Sequence, residues 1–595
     1  MSATMRTILI LLVLAITILF LTISGGGLFP TTVGFAVVLL ELTVLLVLAF
    51  PVTGNIPSAD TTPNRPTLEI IAAAILFCIL MTTLPIPPAL DRLAGTLRHQ
   101  QNQEVVTAFA KALQAGIPAP ADEPWFCLSR NRAGTLRFFL LVAATFGAFT
   151  LSSSLSTRGR IGLLHILSLI GLTVGVAGSI AQWKIPQGDT IWWFIPIPSA
   201  PTQPVGCFLN RNHFGGFVAL LCPVALALVD HSFIRRHWFR MAIYMVITAV
   251  MTGIVLLSLS RGAILAMFTG LAVTTMIIAF RHKAAWGLTL FILIAAGGIA
   301  FFGRTAIVRE RFADLHHPNG SYESRLSEWR ETLRVLPHYP IIGAGMNALR
   351  MVYPQHRQTS VGARLIHAEN EYVQLLVEGG LIGICLTGAL IAAMRRRLRE
   401  TVTPSSPGAA VVAGVGALTV TGVHCLFDFP AHLPLYALVA GTIAGLLFPA
   451  PVTGAGWRKV LVLLPTLTGL AVTLLLMMNQ PSNLKNMDDP EYLYQAQYRD
   501  LCQAMVWAPT SSAWEYLGYA IHREGVNRRD QELCTTGESF VAHAAMMDPQ
   551  NYWLWYHLGE MRLALRDNSG AADAFKRANA LRAWLKPPHI TLETK

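Results

Sequence analysis

Long apolar runs separated by short basic turns set the pattern of this chain. Runs close to 20 residues fall at 7–23, 33–51, 68–88, 136–153, 161–181, 214–230, 241–257, 262–280, 285–302, 374–394, 408–428, 433–449 and 457–478. A helix rising 1.5 Å per residue needs about 20 such residues to cross the hydrocarbon of a bilayer. The pattern therefore predicts an all-α polytopic membrane protein of about thirteen transmembrane helices. Four connections are long: 89–135, 182–213, 303–373 and everything after 478. In the first, apolar positions from Asp91 to Gln114 recur at helical spacing, which predicts an amphipathic helix. With 53% hydrophobic and 13% charged residues, the chain is too apolar for a single soluble core.

Charge orients the spans. Arg235, Arg236 and Arg240 stand in one short turn, Arg281 and Lys283 in another, Arg395, Arg396, Arg397 and Arg399 in a third, and Arg458 and Lys459 in a fourth. Lys and Arg in short loops are retained on the cytoplasmic side, so the N-terminus is expected in the cytoplasm and the four long connections outside it. The first apolar run lacks a small-residue cleavage site and reads as a retained helix. Residues 1–478 hold 33 Lys and Arg against 19 Asp and Glu, and residues 479–595 hold 12 against 14, so the net +12 belongs to the membrane part. That excess suits anionic membrane lipids or a pyrophosphate lipid. Scattered over loops on both sides, it does not suit nucleic acid. The eight cysteines show no metal spacing; Cys502 and Cys534 could pair if oxidised or remain buried thiols.

Three regions are expected: an N-terminal bundle over 1–200, a second membrane region over 201–478, and an exported tail over 479–595. In the tail, Trp555, Leu558, Gly559, Ala571, Phe575 and Ala578 are similar in spacing to a tetratricopeptide helix pair, with Arg562 and Ala583 departing from it. Trp514, Leu517 and Gly518 open an earlier copy that carries an insertion around Glu524 to Asp530, and a half repeat ends at Ala508-Pro509. Such arrays bind a protein partner along a concave face; a lid packed on the outer loops is the other reading.

The chemistry-bearing motifs gather on the expected outer face. Gly206 to Gly216 contains an Asn-Arg-Asn-His turn with Arg211; Leu259-Ser260-Arg261-Gly262-Ala263 forms a tight turn; Arg325-x-x-x-Trp329 and Pro340-Ile-Ile-Gly-Ala-Gly345 lie in the long loop. The loop ends in His367-Ala-Glu369-Asn370, followed after nine residues by Gly380-x-x-Gly383. In order and spacing over roughly residues 200–450, these resemble the O-antigen ligase and polymerase family of bacterial membrane glycosyltransferases. The resemblance implies a GT-C-like helical architecture in the bacterial inner membrane. It also implies an inverting, metal-independent transfer from an undecaprenyl-diphosphate-linked glycan donor, with no cofactor. The acceptor it implies is another glycan, lipid A core or a protein hydroxyl. By position Arg261 and Arg325 match the family's two arginines. Independently of it, a guanidinium fork fits phosphate oxygens and stays charged at any pH, which makes Arg261, Arg325 and Arg211 candidate diphosphate ligands.

The chain departs from the family at the residue that activates the acceptor. The ligases place His directly before the Asn; here that position is Glu369, and His367 stands two residues earlier. Either can take a proton from a hydroxyl, Glu if burial raises its pKa, or both merely cap the helix that follows. Asn370 is counted with the substrate-binding residues. Asp428 lies between His424 and His432; Pro430 breaks the register a metal site would need, and Asp428 is expected to orient an arginine or the acceptor. Two functions outside this class fit the sequence less well. A transporter or flippase predicts polar, broken segments at mid-membrane in matching halves, whereas here the charges gather at one face; a scaffold for the tail does not explain thirteen spans. Within the class, protein O-oligosaccharyltransferase is the alternative to polysaccharide ligase or polymerase.

Overall fold

The computed structural model describes residues 2–27, 30–50, 67–87, 96–114, 116, 118–119, 124–184, 190–191, 195–196, 205–282, 321–358, 366–401, 408–448, 456–478 and 498–582. Three apolar helices, α1 (Ala3–Ile23), α2 (Pro30–Ala49) and α3 (Thr67–Met81), precede the amphipathic α4 (Thr96–Gln114). Next come α5 (Arg132–Ser153), α6 (Thr157–Lys184), a two-residue antiparallel hairpin pairing Thr190–Ile191 with Ile195–Pro196, α7 (Arg211–Ile234), α8 (Trp238–Leu257) and α9 (Arg261–His282). The long loop carries α10 (Ser321–Leu333) and the single turn α11 (Leu349–Val352). It leads to α12 (Glu371–Thr401), α13 (Ala409–His424), α14 (Pro434–Leu447) and α15 (Gly456–Met478). The tail adds α16 (Tyr498–Trp507), α17 (Ser511–Arg528), α18 (Gln531–Met547), α19 (Tyr552–Ala564) and α20 (Asn568–Arg582).

Eight helices, α1, α2, α5 to α9 and α12, are long and apolar enough to cross a bilayer, and α3, α13, α14 and α15 are shorter apolar helices. Twelve of the expected spans thus coincide with described helices; the expected span at 285–302 lies outside the described residues. The protein is a multi-pass all-α membrane protein. Helix α7 is apolar on nearly every side and is wrapped by α6, α8, α9 and α13, as an all-round apolar helix must be. A second group gathers α2, α3, α14 and α15 around α5, and the contact of α13 with α14 joins the two.

Several expected spans end earlier or start later than hydropathy suggests. Helix α13 stops at His424 because residues 425–429 turn around a buried Asp428. Helix α12 begins at Glu371, but its backbone breaks at Gly380 (φ +57°, ψ −157°). Its first nine residues bury Gln374 and Glu378 among polar loops, so the apolar run starts only after the break. The Pro340 to Gly345 turn fills that break. Leu381 and Ile382 donate to the carbonyls of Pro340 and Ile341 (2.9 and 3.0 Å), and Ala344 and Gly345 donate to those of Val377 and Glu378 (2.9 and 3.0 Å). Two glycine motifs 35 residues apart in sequence are one interlock in space.

The tail helices pack as successive antiparallel neighbours, α17 on α18 and α19 on α20. The extra residues before Asp530 lengthen α17 by a turn, ended by Arg529 in the left-handed region (φ +56°). Tail and loop share a core: Val105, Ala108, Phe109 and Ala112 of α4, with Phe126, pack against Leu501, Met505, Leu517 and Phe540. Arg132 stacks over the Trp507 ring, 4.4 Å from its centroid. One face of the tail is therefore covered by the chain's own α4, in keeping with a docked lid. Cys502 and Cys534 are free, buried thiols.

Candidate active site

Five helix ends meet where the motifs converge. The starts of α7, α9, α12 and α14 and the end of α13 surround residues 425–432. Close approach is written into the sequence at two glycines. A Cβ on Gly216 would overlap the His424 ring, and one on Gly262 would stand 2.7 Å from Cβ of Phe427. The α9 end is built by the turn before it: Leu259 takes φ +54°, and the Ser258 and Ser260 hydroxyls accept from the backbone N–H groups of Ser260 and Ala263. Arg261 and Arg211 each occupy the first position of their helices, half-buried. Asn210 caps α7 by accepting from Asn212 N–H (2.9 Å).

Glu369 sits in the left-handed region (φ +50°), rare for a residue with a Cβ. Its carboxylate is paired with Arg325 at 2.5 Å and stays 27% exposed. Arg325 also donates to the Phe427 carbonyl (3.0 Å), and four residues on, the Trp329 indole donates to that of Ala368 (2.8 Å). The Arg-x-x-x-Trp element thus clamps both sides of Glu369 from one face of α10. Burial pushes the Glu369 carboxyl above its ordinary value; Arg325 opposes the rise and the nearby Asp428 adds to it.

His367 stands differently. Its ring stacks on Phe429 (centroids 4.0 Å, 15°), and Nδ1 meets Gln374 Nε2 at 3.0 Å. Burial, then the neighbouring His432 and His213, push it well below its ordinary pKa, so it is a neutral, packed ring. Asn370 caps α12, accepting from Tyr372 and Val373 N–H (3.0 and 3.1 Å), while its amide donates to Leu426 C=O (3.2 Å).

Asp428 faces two histidines and not the expected arginine: His213 Nε2 lies 3.2 Å from Oδ1 and His424 Nε2 3.3 Å from Oδ2. Burial disfavours its charge, yet the two rings hold its carboxyl well below the ordinary range. Among the described residues, no group of three His, Cys, Asp or Glu is arranged to hold a metal ion. His432 contacts Glu371 (3.0 Å) and Glu378 (3.4 Å). Burial disfavours its charge too, but the two carboxylates outweigh it and raise the group to about 10. Glu378 in turn accepts from Asn347 and Leu349 N–H (2.9 and 3.0 Å).

The structure thus brings Arg325, Glu369, His367, Asn370 and Asp428 into one cluster, with the Arg261 turn packed on Phe427 and Arg211 two residues from His213. Sequence reasoning did not single out His213, Gln374, Glu371 or Glu378. A signal existed for the acids: Glu371 and Glu378 are seven residues apart, one helical face, and an apolar helix has no use for a buried carboxylate pair unless a cation such as His432 meets it.

Fold and site together define a multi-pass helical membrane protein with a cluster of charged and polar side chains at one end of its bundle. Residues 246–388, about a quarter of the chain, match the family model described as O-antigen ligase. The match takes in Arg261, Arg325, the Pro340 to Gly345 turn and the His367 to Gly383 run. Arg211, His213 and Asp428 fall outside it; Asp428 is joined to it through the Glu371 N–H, and His213 through Asp428. No curated protein matches the chain.

Proposed function

We propose that the protein is an inverting membrane glycosyltransferase. In this reading it transfers or polymerises glycan from an undecaprenyl-diphosphate-linked donor on the extracytoplasmic face of the bacterial inner membrane, with Glu369 as general base. The observation that carries this reading is the contrast between the two base candidates. Glu369 is held in an unusual backbone conformation with a raised pKa and a partly exposed carboxylate set by Arg325, features that suit a base near neutral pH; His367 is locked under Phe429.

The acceptor hydroxyl gives its proton to Glu369 as its oxygen forms the new bond to the anomeric carbon. The bond from that carbon to the diphosphate breaks on the opposite face, and the lipid diphosphate leaves with the electron pair. Arg261 and Arg211, at two helix starts on the same face, meet the charge that develops on it. Arg325 sets the Glu369 carboxylate while bound to the Phe427 carbonyl. An apolar cavity of about 320 Å³, lined by Phe146, Leu418, Pro430, Ala431 and Tyr436, lies beside the cluster and suits an isoprenoid chain. The tail is read as tetratricopeptide-like repeats that hold the outer loops.

The test is transfer in a reconstituted system with a lipid-linked donor. Glu369→Gln is expected to cost about a hundredfold or more, within the range for a general base, while His367→Gln is mild. Retained transfer in Glu369→Gln would overturn the assignment.

A further inference from the structure

At the other end of the bundle, beside Asp230, 17 residues and so about 25 Å along α7 from His213, lies a polar cavity of about 620 Å³. Its walls carry Arg158, Arg235, Arg240 and Arg281, and among the described residues no carboxylate lines it. His165, His231 and His237 complete the ring of basic side chains. The fully buried Asp230 anchors one wall, binding Arg281 Nη1 at 2.9 Å and His282 Nε2 at 2.6 Å. Arg158, Arg235 and Arg240 meet no carboxylate within ion-pair distance among the described residues.

Helix starts add to the positive potential. Thr157 of α6, His237 before α8 and Gly408 before α13 all border the cavity, and neither His237 nor Gly408 gives a side-chain cap, so backbone N–H donors stay open. Beside the mouth, Trp238 and Phe239 are 56% and 80% exposed and Phe280 is 77% exposed. Large aromatic side chains left outside at the end of apolar helices belong at the headgroup level of a bilayer. Positive charge in short turns is enough to orient the spans, but it does not require two helix starts without a side-chain cap and four arginines to face one cavity.

We propose that this cavity binds the phosphate headgroup of an acidic phospholipid at the membrane surface opposite the candidate active site. Basic pockets between membrane helices bind such headgroups, with a contribution from each Lys or Arg near the surface, and guanidinium forks supply the phosphate geometry. The aromatic rim selects a lipid over a free anion.

The test uses the full-length protein in detergent and native mass spectrometry, with phosphatidylglycerol as the probe, phosphatidylethanolamine as the zwitterionic, net-neutral comparison and inorganic phosphate as the soluble one. Retention of phosphatidylglycerol over phosphatidylethanolamine is expected. The double variant Arg235→Gln/Arg240→Gln should weaken it roughly thirtyfold, as two surface charges would, and Arg158→Gln should weaken it several-fold. Arg396→Gln, an exposed arginine paired with Glu400 outside the cavity, should leave it unchanged. Equal retention of the two lipids, equal loss in Arg396→Gln, or undiminished binding in both cavity variants would overturn the proposal. Binding of inorganic phosphate with the same arginine dependence and no preference between lipids would overturn the lipid assignment.

Discussion

Glu369 and Arg325 make the reading accessible to pH. A base must be deprotonated, so transfer should rise with pH through the Glu369 pKa, which burial places above the ordinary carboxylate value. Arg325 is the cation that opposes that rise. Arg325→Gln is therefore expected to move the acidic limb of the pH–rate profile further upward as well as lowering the maximal rate. A limb that stays in place would mean that another group titrates. His432 gives a separate signature in stability. Its folded pKa, raised to about 10 by Glu371 and Glu378, lies above the unfolded value. The stabilisation it brings is complete below about pH 6.5 and is lost as pH climbs toward 10. Thermal unfolding from pH 7 to 10 should show this decline, and His432→Gln should flatten it. Residue type and spacing revealed the arginines, Glu369 and His367, because their chemistry shows in one dimension. His213 did not stand out, since its partner Asp428 is 215 positions away.

Among the elements, the break in α12 has the clearest mechanical role. Gly380 is at φ +57°, and a Cβ there would stand 2.5 Å from Gly343 N and 2.6 Å from Ile341 O. Gly380→Ala is expected to cost about 1–3 kcal/mol through the strained backbone alone, with displacement of the Pro340 turn beyond that. A lowered midpoint of unfolding, with Gly388→Ala on the open part of the same helix near neutral, is the expected pair of results. Hydropathy located this helix but not its break, because an apolar run continues through Leu381 to Cys385 whether or not the backbone does. The same holds for α13. Its apolar character runs past His424, while its end is set by the Glu371 N–H, which donates to the Cys425 and Asp428 carbonyls (2.9 and 3.2 Å), contacts between segments more than 50 residues apart.

At the scale of the whole molecule, the two ends of the bundle have opposite characters. Arg261 begins α9 beside Phe427, while Arg281 and His282 end it on Asp230, and the chain resumes at α10 with Arg325 again at Phe427. The basic turns that predicted the orientation all fall at the Asp230 end or on the same side of their helices. Cysteines placed at Ser321 and Ser569 should accordingly react with an impermeant reagent from outside the cell, and one placed at Arg236 should not. Labelling of Ser321 only after the inner membrane is opened would reverse the orientation and place the site in the cytoplasm.

The core shared by α4 and the tail links parts of the chain made far apart in time. Residues 96–114 leave the ribosome nearly four hundred residues before 498–582, yet Phe109 and Ala112 share their core with Leu501, Met505, Leu517 and Phe540 of the latter. Until synthesis is finished, α4 must rest its apolar face on lipid or on a chaperone. Arg98 of the same helix, which donates to Gly343 in the interlock (3.0 Å), settles only once α4 does. The C-terminal segment then works as a completion signal: a chain cut short before it would keep every membrane helix and leave the loops of its site unassembled.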